Sequence, residues 1–225
     1  MKRFPLVDLV RSFSILSVLA IHSDVFFRRP QNPMLAWAWD HFQRNGTYGV
    51  YSFFLVSGFL ITEVIRNNTG GLWKPSLKIF YVQRAGRILP LLLLTVWIGI
   101  LMLHTPFPSR ASYLNVFRPE SGDTGLGFWV CLATFTFNWF LAFHPLASFG
   151  MFWNLLWSLS VEEQFYFLFP PLLKILRSEK NLLRVLILVL VICFSWRFIC
   201  YDFEWNNRDL QIFSSLGAFD NVAFG

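Results

Sequence analysis

Apolar runs of membrane-spanning length recur along this chain, and they restrict its fold before any single residue is weighed. Residues 48–65 read YGVYSFFLVSGFLITEVI, comparable runs occupy 7–27, 88–104, 153–176 and 182–199, and a further apolar stretch opens near Leu216. A helix rises about 1.5 Å per residue, so about 20 such residues cross the hydrocarbon core of a bilayer. Inside that core the backbone must satisfy its own hydrogen bonds, which leaves helices as the form for runs of this length. Only 14% of residues are charged and 55% are hydrophobic, whereas a soluble domain carries about 25% charge. The fold class is all-α: a polytopic transmembrane helical bundle of five to six spans, read as a single domain over residues 1–225.

The first run, VDLVRSFSILSVLAIHSDVFF, carries Asp8, Arg11 and His22. Arg11 and His22 are eleven positions apart; at about 100° per residue they point within about 20° of each other. Asp8 and Arg11 form an i,i+3 pair on the same side. An arginine at membrane depth costs about 2.5–3.5 kcal/mol even on the lenient scale, so such residues face a bundle interior or an aqueous path. The alternative places Asp8 and Arg11 at the cytoplasmic rim, where they snorkel, with His22 at the opposite rim.

In such a chain the net charge of +6 does not point to nucleic acid, because basic residues in membrane proteins set orientation or meet lipid headgroups. No nucleic-acid-reading motif is present. Cys131, Cys193 and Cys200 lie in or beside apolar segments without metal-ligand spacing; they read as small buried residues, with neither a disulfide nor a metal expected. The first run does not read as a cleavable signal, since Asp8 and Arg11 interrupt it and no small-residue cleavage site follows.

Between the first two runs, residues 27–47 read as a surface loop whose Trp37 and Trp39 sit in the headgroup layer, with His41 interfacial. Residues 105–125 read as a second loop. The segment 126–143 is apolar and rich in aromatic residues, but a full crossing there would leave Lys174, Arg177, Lys180 and Arg184 outside, against the positive-inside rule. An interfacial or re-entrant path for 126–143 keeps them inside, with the N-terminus cytoplasmic.

Two further clusters carry candidate chemistry. Arg84 and Arg87, one helical turn apart before Ile88-Leu89-Pro90, form either a phosphate clamp or a topology signal. In Ser158-Leu159-Ser160-Val161-Glu162-Glu163-Gln164, Ser160 and Glu163 fit a capping box at a helix start. Glu162 falls one turn from Ser158 and Tyr166, where a carboxylate can orient a histidine, take a proton or bind a sugar hydroxyl.

Four segments together resemble the acyltransferase 3 family of integral-membrane O-acyltransferases. Asp8-Leu9-Val10-Arg11 through His22 is similar to its DGLR opening and arginine-x10-histidine pattern. Residues 49–62, GVYSFFLVSGFLIT, are similar to its FFxxSGFLIT helix. Phe80-Tyr81 through Arg84, Arg87, Ile88 and Pro90 resembles its FYxRRxxRIxP segment. Trp157 through Tyr166, WSLSVEEQFY, resembles its WSLxVEEQFY block. Leu9 stands in place of the glycine of DGLR, Tyr51 where an acidic residue is common, and Gln83 in place of the first paired arginine. The resemblance implies a bundle of about ten helices, of which this chain supplies the first five to six and is C-terminally incomplete.

It also implies the chemistry. An acyl group, often acetyl, would arrive as acyl-CoA, a donor substrate with no tightly bound cofactor, whose phosphates meet Arg84 and Arg87. His22 would act as general base or carry the acyl group, Arg11 would stabilise developing charge, and Glu162 would orient His22 or the sugar. Asp8, Glu163 and Tyr166 would complete the substrate contacts. The acceptor would be a cell-surface carbohydrate or glycolipid, and the setting the bacterial inner membrane. The competing readings are a transporter or channel-like protein using Asp8, Arg11 and His22 as an ion path, and a non-catalytic truncated remnant.

Overall fold

The computed structural model describes residues 4–22, 28–68, 71–104, 125–143, 151–202 and 212–224, and among these all regular structure is helical. Ten helices follow in order: α1 Pro5–His22, α2 Pro33–Asn45, α3 Thr47–Asn68, α4 Leu77–His104, α5 Leu126–Ala133, α6 Phe137–Phe143, α7 Met151–Asn154, α8 Leu156–Leu176, α9 Glu179–Asp202 and α10 Ser215–Phe224. The chain divides into two compact units, one of Met1–Leu60 with Asn221–Gly225 and one of Ile61–Asp220.

α1, α3, α4 and α9 are long and apolar enough to cross a membrane. Only 6% of the spanning windows of α4 and α9 is buried within the protein; side chains such as Leu91, Leu93, Trp97, Ile187 and Phe194 face outward. Apolar surface on this scale needs lipid around it, and the protein is an integral membrane protein. The expected span at 153–176 forms as α8, which has the length, but Glu162, Glu163 and Gln164 keep it outside the set of four.

In the first unit α1 turns its large apolar residues Leu9, Phe13, Leu16 and Leu19 outward and buries Ser14 and Ser17. Both hydroxyls donate to carbonyls four residues back, Val10 and Phe13, at 2.8 and 2.9 Å, so neither is stranded in an apolar setting. The small face permits contact with α3. A Cβ on Gly49 would stand 2.6 Å from the Ser17 Cβ and 3.0 Å from the Ser14 carbonyl oxygen, the close approach that small residues allow between membrane helices. Gly49→Val is expected to destabilise the protein by about 1–3 kcal/mol through this overlap. Thermal unfolding in detergent checks it, and an unchanged midpoint would remove the contact from the stability of the unit.

The stretch between α1 and α3 is not the expected loop. Asn32 caps α2 by accepting from the amides of Met34 and Leu35, at 3.0 and 3.3 Å, and Pro33 occupies the first helical position. This is a strong start signal, since the fixed φ of proline suits a helix whose first amides need no intrahelical partner. α2 leaves Met34, Leu35, Trp37 and Phe42 exposed, as an amphipathic interfacial helix does. Arg29 grips Asp40 through two hydrogen bonds of 2.8 and 2.6 Å. That bond holds the Asp40 carboxyl below the usual carboxylate range.

α8 is the axis of the second unit. Trp157, Val161, Phe165, Phe169 and Leu173 recur every fourth position and are buried, the i,i+4 row that meets neighbouring helices. α6, α7 and α9 all pack on it. Ser160 lies inside α8 with its hydroxyl donating to the Leu156 carbonyl at 3.1 Å, so it caps nothing. The capping-box pattern with Glu163 is incidental, because the helix begins four residues earlier. α4 likewise begins at Leu77 rather than near 88, which places Arg84 and Arg87 within a helix.

Residues 126–143 form two short helices, α5 and α6, of 8 and 7 residues, each far below the length of a crossing. Between them Phe135 takes φ 54°, the left-handed region that disfavours side chains. This turn makes an elbow between the two helices. The expected loop at 105–125 lies outside the described residues up to 124.

Candidate functional site

The second unit forms a half-open cavity of about 660 Å³ between α4, the α5–α6 elbow, α8 and α10. Its walls are mainly apolar and aromatic, with Arg84, Glu163 and Tyr166 among the lining residues. All three belong to the segments whose pattern carries candidate chemistry.

Arg84 comes from α4 and lies over the Tyr166 ring, its Cζ 3.5 Å from the ring centroid. Stacking on an aromatic face uses the plane of the guanidinium and leaves its edge of N–H donors free. Among the described residues Arg84 makes no hydrogen bond or ion pair. Tyr166 in turn donates its hydroxyl to Glu162 Oε1 one turn earlier on α8, which realises the polar face expected from their spacing. Glu163 is half-buried and has one carboxylate oxygen, Oε1, fully buried without a hydrogen-bond partner. Arg87 is exposed and does not line the cavity, so the two arginines of the segment differ in placement.

Proline shapes the wall beside this stack. Pro170 and Pro171 lie inside α8, and a proline has no amide hydrogen to give the carbonyl four residues back. For Pro171 that carbonyl belongs to Phe167. It is satisfied instead by the Tyr81 hydroxyl of α4, at 2.8 Å. The carbonyl that proline leaves open thus becomes a tie between the two helices that carry Arg84 and Tyr166.

Opposite the stack, Gln164 Nε2 donates to the Phe135 carbonyl of the elbow and to Asn138 Oδ1 at 2.8 Å. Asn138, fully buried on α6, donates to Ser215 Oγ and the Phe213 carbonyl, both at 3.0 Å. Ser215 donates to Gln164 Oε1. Farther along α9, Arg197 pairs with Asp220 at 2.7 and 2.8 Å and donates to the Gly217 carbonyl at 2.6 Å. Sequence reading missed both groupings. Arg197 within the apolar run 182–199 was a usable signal, because charge at membrane depth requires a partner. The partners of Gln164 left no local signal.

The remaining predicted residues belong to the first unit. Asp8 and Arg11 are exposed on α1 and are not ion-paired to each other; the Arg11 Cζ lies 5.9 Å over the Phe53 ring. His22 is half-buried in the last turn of α1. That helix end is held by Gln43 of α2, which donates to the Ala20 carbonyl at 2.7 Å, one of the acceptors a helix C-terminus leaves open. The sequence elements around His22 therefore fix its backbone from outside its own helix.

Comparison with known proteins adds an independent line. The model of the family described as "Acyltransferase domain" matches residues 4–219. Among similar proteins, the peptidoglycan O-acetyltransferase OatA of Listeria monocytogenes is 27% identical over 209 residues, covering 89% of this chain and 29% of that protein. The putative peptidoglycan O-acetyltransferase YrhL of Bacillus subtilis is 28% identical over 197 residues, covering 84% and 27% respectively. A putative O-acetyltransferase of Staphylococcus aureus is 27% identical over 180 residues, covering 77% and 25%. The chain thus spans less than a third of the length of these relatives. No solved structure matches it.

Proposed function

Because the chain belongs to the acyltransferase-domain family, we propose that it is the membrane part of an O-acyltransferase that moves an acyl group, acetyl in the first instance, from acyl-CoA to a carbohydrate hydroxyl. The observation that carries this reading is Arg84, held 3.5 Å over the Tyr166 ring with unspent donors at an aromatic cavity. A cation held in place by its face presents a ready edge to phosphate oxygens, while the apolar walls suit the less polar parts of a thioester donor. Peptidoglycan is the acceptor named for the Listeria relative, and a cell-wall or other surface glycan is the acceptor class proposed here.

In the reaction the acceptor oxygen attacks the thioester carbonyl carbon. The C–O ester bond forms, the C–S bond breaks, and the proton of the hydroxyl passes through a base to the departing thiolate. His22 is the proposed base, or alternatively the acyl carrier, since imidazole exchanges protons near neutrality. Arg11 is proposed to stabilise the developing oxyanion, and Glu162 and Glu163 to bind acceptor hydroxyls. The basic residues of the α3–α4 connection and of the segment after α8 face the cytoplasm in this proposal, with the N-terminus inside and the protein in a bacterial inner membrane.

The test is transfer of isotope-labelled acetyl from acetyl-CoA to surface glycan, read by mass spectrometry in cells with and without the protein. The 225-residue chain and the longest in-frame form at its locus are run in parallel. Donor-derived ester that depends on the protein supports the reading; its absence from both forms overturns it. Arg84→Lys keeps the charge and loses the planar stack. It is expected to raise the donor KM by about 5–30-fold with a smaller change in kcat, the signature of lost ground-state binding.

A further inference from the structure

α4 is embedded in its unit at two places. Among its residues 77–102 only Phe80 and Gly99 are buried, and 6% of its spanning window lies inside the protein. At Gly99 the helix runs directly against the Trp153 ring of α7, which a Cβ there would meet at 2.5 Å. Arg84 stands 15 positions before Gly99, about 22 Å along the helix at about 1.5 Å per residue. A tilt of about 5° at Gly99 therefore moves Arg84 by about 2 Å, more than half of its 3.5 Å separation from the Tyr166 centroid.

What opposes that tilt lies at the Phe80 end. Burial of Phe80 anchors the end, but apolar contact is non-directional and leaves rotation and slip open. Tyr81 supplies the direction. Its hydroxyl donates to the Phe167 carbonyl at 2.8 Å, and its ring centroid stands 5.9 Å from that of Phe167. Tyr81 and Arg84 share one face of α4 as an i,i+3 pair, and Phe167 adjoins Tyr166 on α8. The hydrogen bond and the Arg84–Tyr166 contact are thus successive rungs between the same two helices. The Tyr166 ring is held in its turn by the hydroxyl it donates to Glu162. Arg84 makes no hydrogen bond among the described residues, so its seat depends on where α4 is held.

We infer that Tyr81 is a positioning residue for the donor: its bond to the carbonyl that Pro171 leaves open sets the register of α4 on α8 at which Arg84 stays over Tyr166, its N–H donors available to phosphate oxygens. The inference rests on the assignment of Arg84 to donor phosphates made above and concerns the phosphate end of the donor alone. Small displacements of a binding group are costly, and the hydroxyl of Tyr81 acts on the donor through Arg84, without touching it.

The experiment measures the Kd of radiolabelled CoA on detergent-purified protein, together with the donor KM and kcat for labelled acetyl-CoA in membranes. Tyr81→Phe removes one hydroxyl and keeps the ring. Kd and KM are each expected to rise about 3–10-fold, the scale of one lost hydrogen bond, with a smaller change in kcat. Arg84→Lys supplies the comparison that separates positioning from general stability. Because Tyr81 acts through Arg84, adding Tyr81→Phe to Arg84→Lys is expected to change Kd by less than about twofold, whereas independent effects multiply. Tyr81→Phe also strands the Phe167 carbonyl. Should it fail to accumulate, Tyr81→Phe is combined with Pro171→Ala, which restores an amide four residues after Phe167; this pair is expected to accumulate like the parent and to keep the raised Kd.

A Kd within about twofold of the parent, in Tyr81→Phe or in its pair with Pro171→Ala, overturns the positioning role. So does a Kd for Tyr81→Phe with Arg84→Lys that equals the product of the two single effects. Parent protein that binds CoA but transfers nothing overturns the acyl-transfer reading, and the same Kd values then decide the role of Tyr81. Parent protein that binds no CoA overturns the donor seat at Arg84 and the role of Tyr81 with it.

Discussion

Replacing His22 by alanine is expected to lower acyl transfer by about 10²–10⁴-fold, the range by which a positioned acid–base group accelerates proton transfer. The same substitution makes α1 more apolar, so membrane insertion is expected to be at least as good as in the parent protein. Loss of transfer at normal membrane abundance would therefore report on chemistry rather than on biogenesis. His41 supplies the control. It is an exposed imidazole of α2, stacked on Trp37 with ring centroids 5.4 Å apart, and His41→Ala is expected to leave transfer unchanged. The assay is ester formation from labelled donor, normalised to protein in the membrane fraction. Transfer retained in His22→Ala within a few-fold would take His22 out of the reaction and return the polar residues of α1 to the ion-path reading.

The effect on His22 also depends on how its helix end is held. Gln43 reaches the Ala20 carbonyl from α2, and Ile21 lies where any Cβ on Gly46 would collide with it, at 2.0 Å. The last turn of α1 is thereby fixed from two sides by elements that a sequence reading treats as loop and turn. A side chain used for proton transfer needs this support, because small displacements of a catalytic group are costly.

The spans were legible in the sequence because length and apolarity alone specify them. α1, α3, α4 and α9 fall where the apolar runs lie. α2 was equally readable, through Asn32-Pro33 as cap and first helical residue, but the same dipeptide also marks turns. The start of α4 was obscured by Lys78, Arg84 and Arg87, whose charges interrupt the apolar pattern before residue 88. Ser160 and Glu163 show the converse problem. Their spacing suits a cap, yet every i,i+3 pair inside a helix has the same spacing, and only the position of the helix start decides.

The site was partly legible for a different reason. Arg84, Glu163 and Tyr166 belong to segments whose pattern resembles a known family, and they do line one cavity. The hydrogen-bonded ring of Gln164, Asn138 and Ser215 was not legible, because its members are 26 to 77 positions apart in pairs and a lone polar residue in an apolar helix does not state which other residue will meet it. Nor was the elbow. An apolar aromatic segment gives no warning that Phe135 will adopt a conformation suited to glycine, since the hydrogen bond that secures it comes from Gln164 on another helix.

Arg197 provides the largest expected change in stability. Its guanidinium binds both oxygens of Asp220 and the Gly217 carbonyl, and the Asp220 side chain is 5% exposed against 33% for Arg197. Arg197→Ala leaves a carboxylate buried without its counter-charge, and breaking such a pair costs about 3–5 kcal/mol. Because the Arg197 side chain is a third exposed, the lower end applies, about 3 kcal/mol, which corresponds to a fall of about 6–12 °C in the unfolding midpoint for a chain of this size. Replacing both partners, Arg197→Leu with Asp220→Leu, removes the stranded charge as well as the bond. That pair is expected to recover most of the loss, since buried ion pairs are often replaced by apolar residues at little cost. Thermal unfolding of detergent-purified protein, followed by tryptophan fluorescence, separates the cases. Trp196 lies beside the pair and donates its indole N–H to Ser214 at 2.9 Å, so loosening of this end of α9 changes the signal directly. If Arg197→Ala unfolds with the parent protein, the ion pair is not what holds α9 to α10. If the double variant is no more stable than the single one, the cost lies in lost packing of the arginine stem rather than in the stranded charge of Asp220.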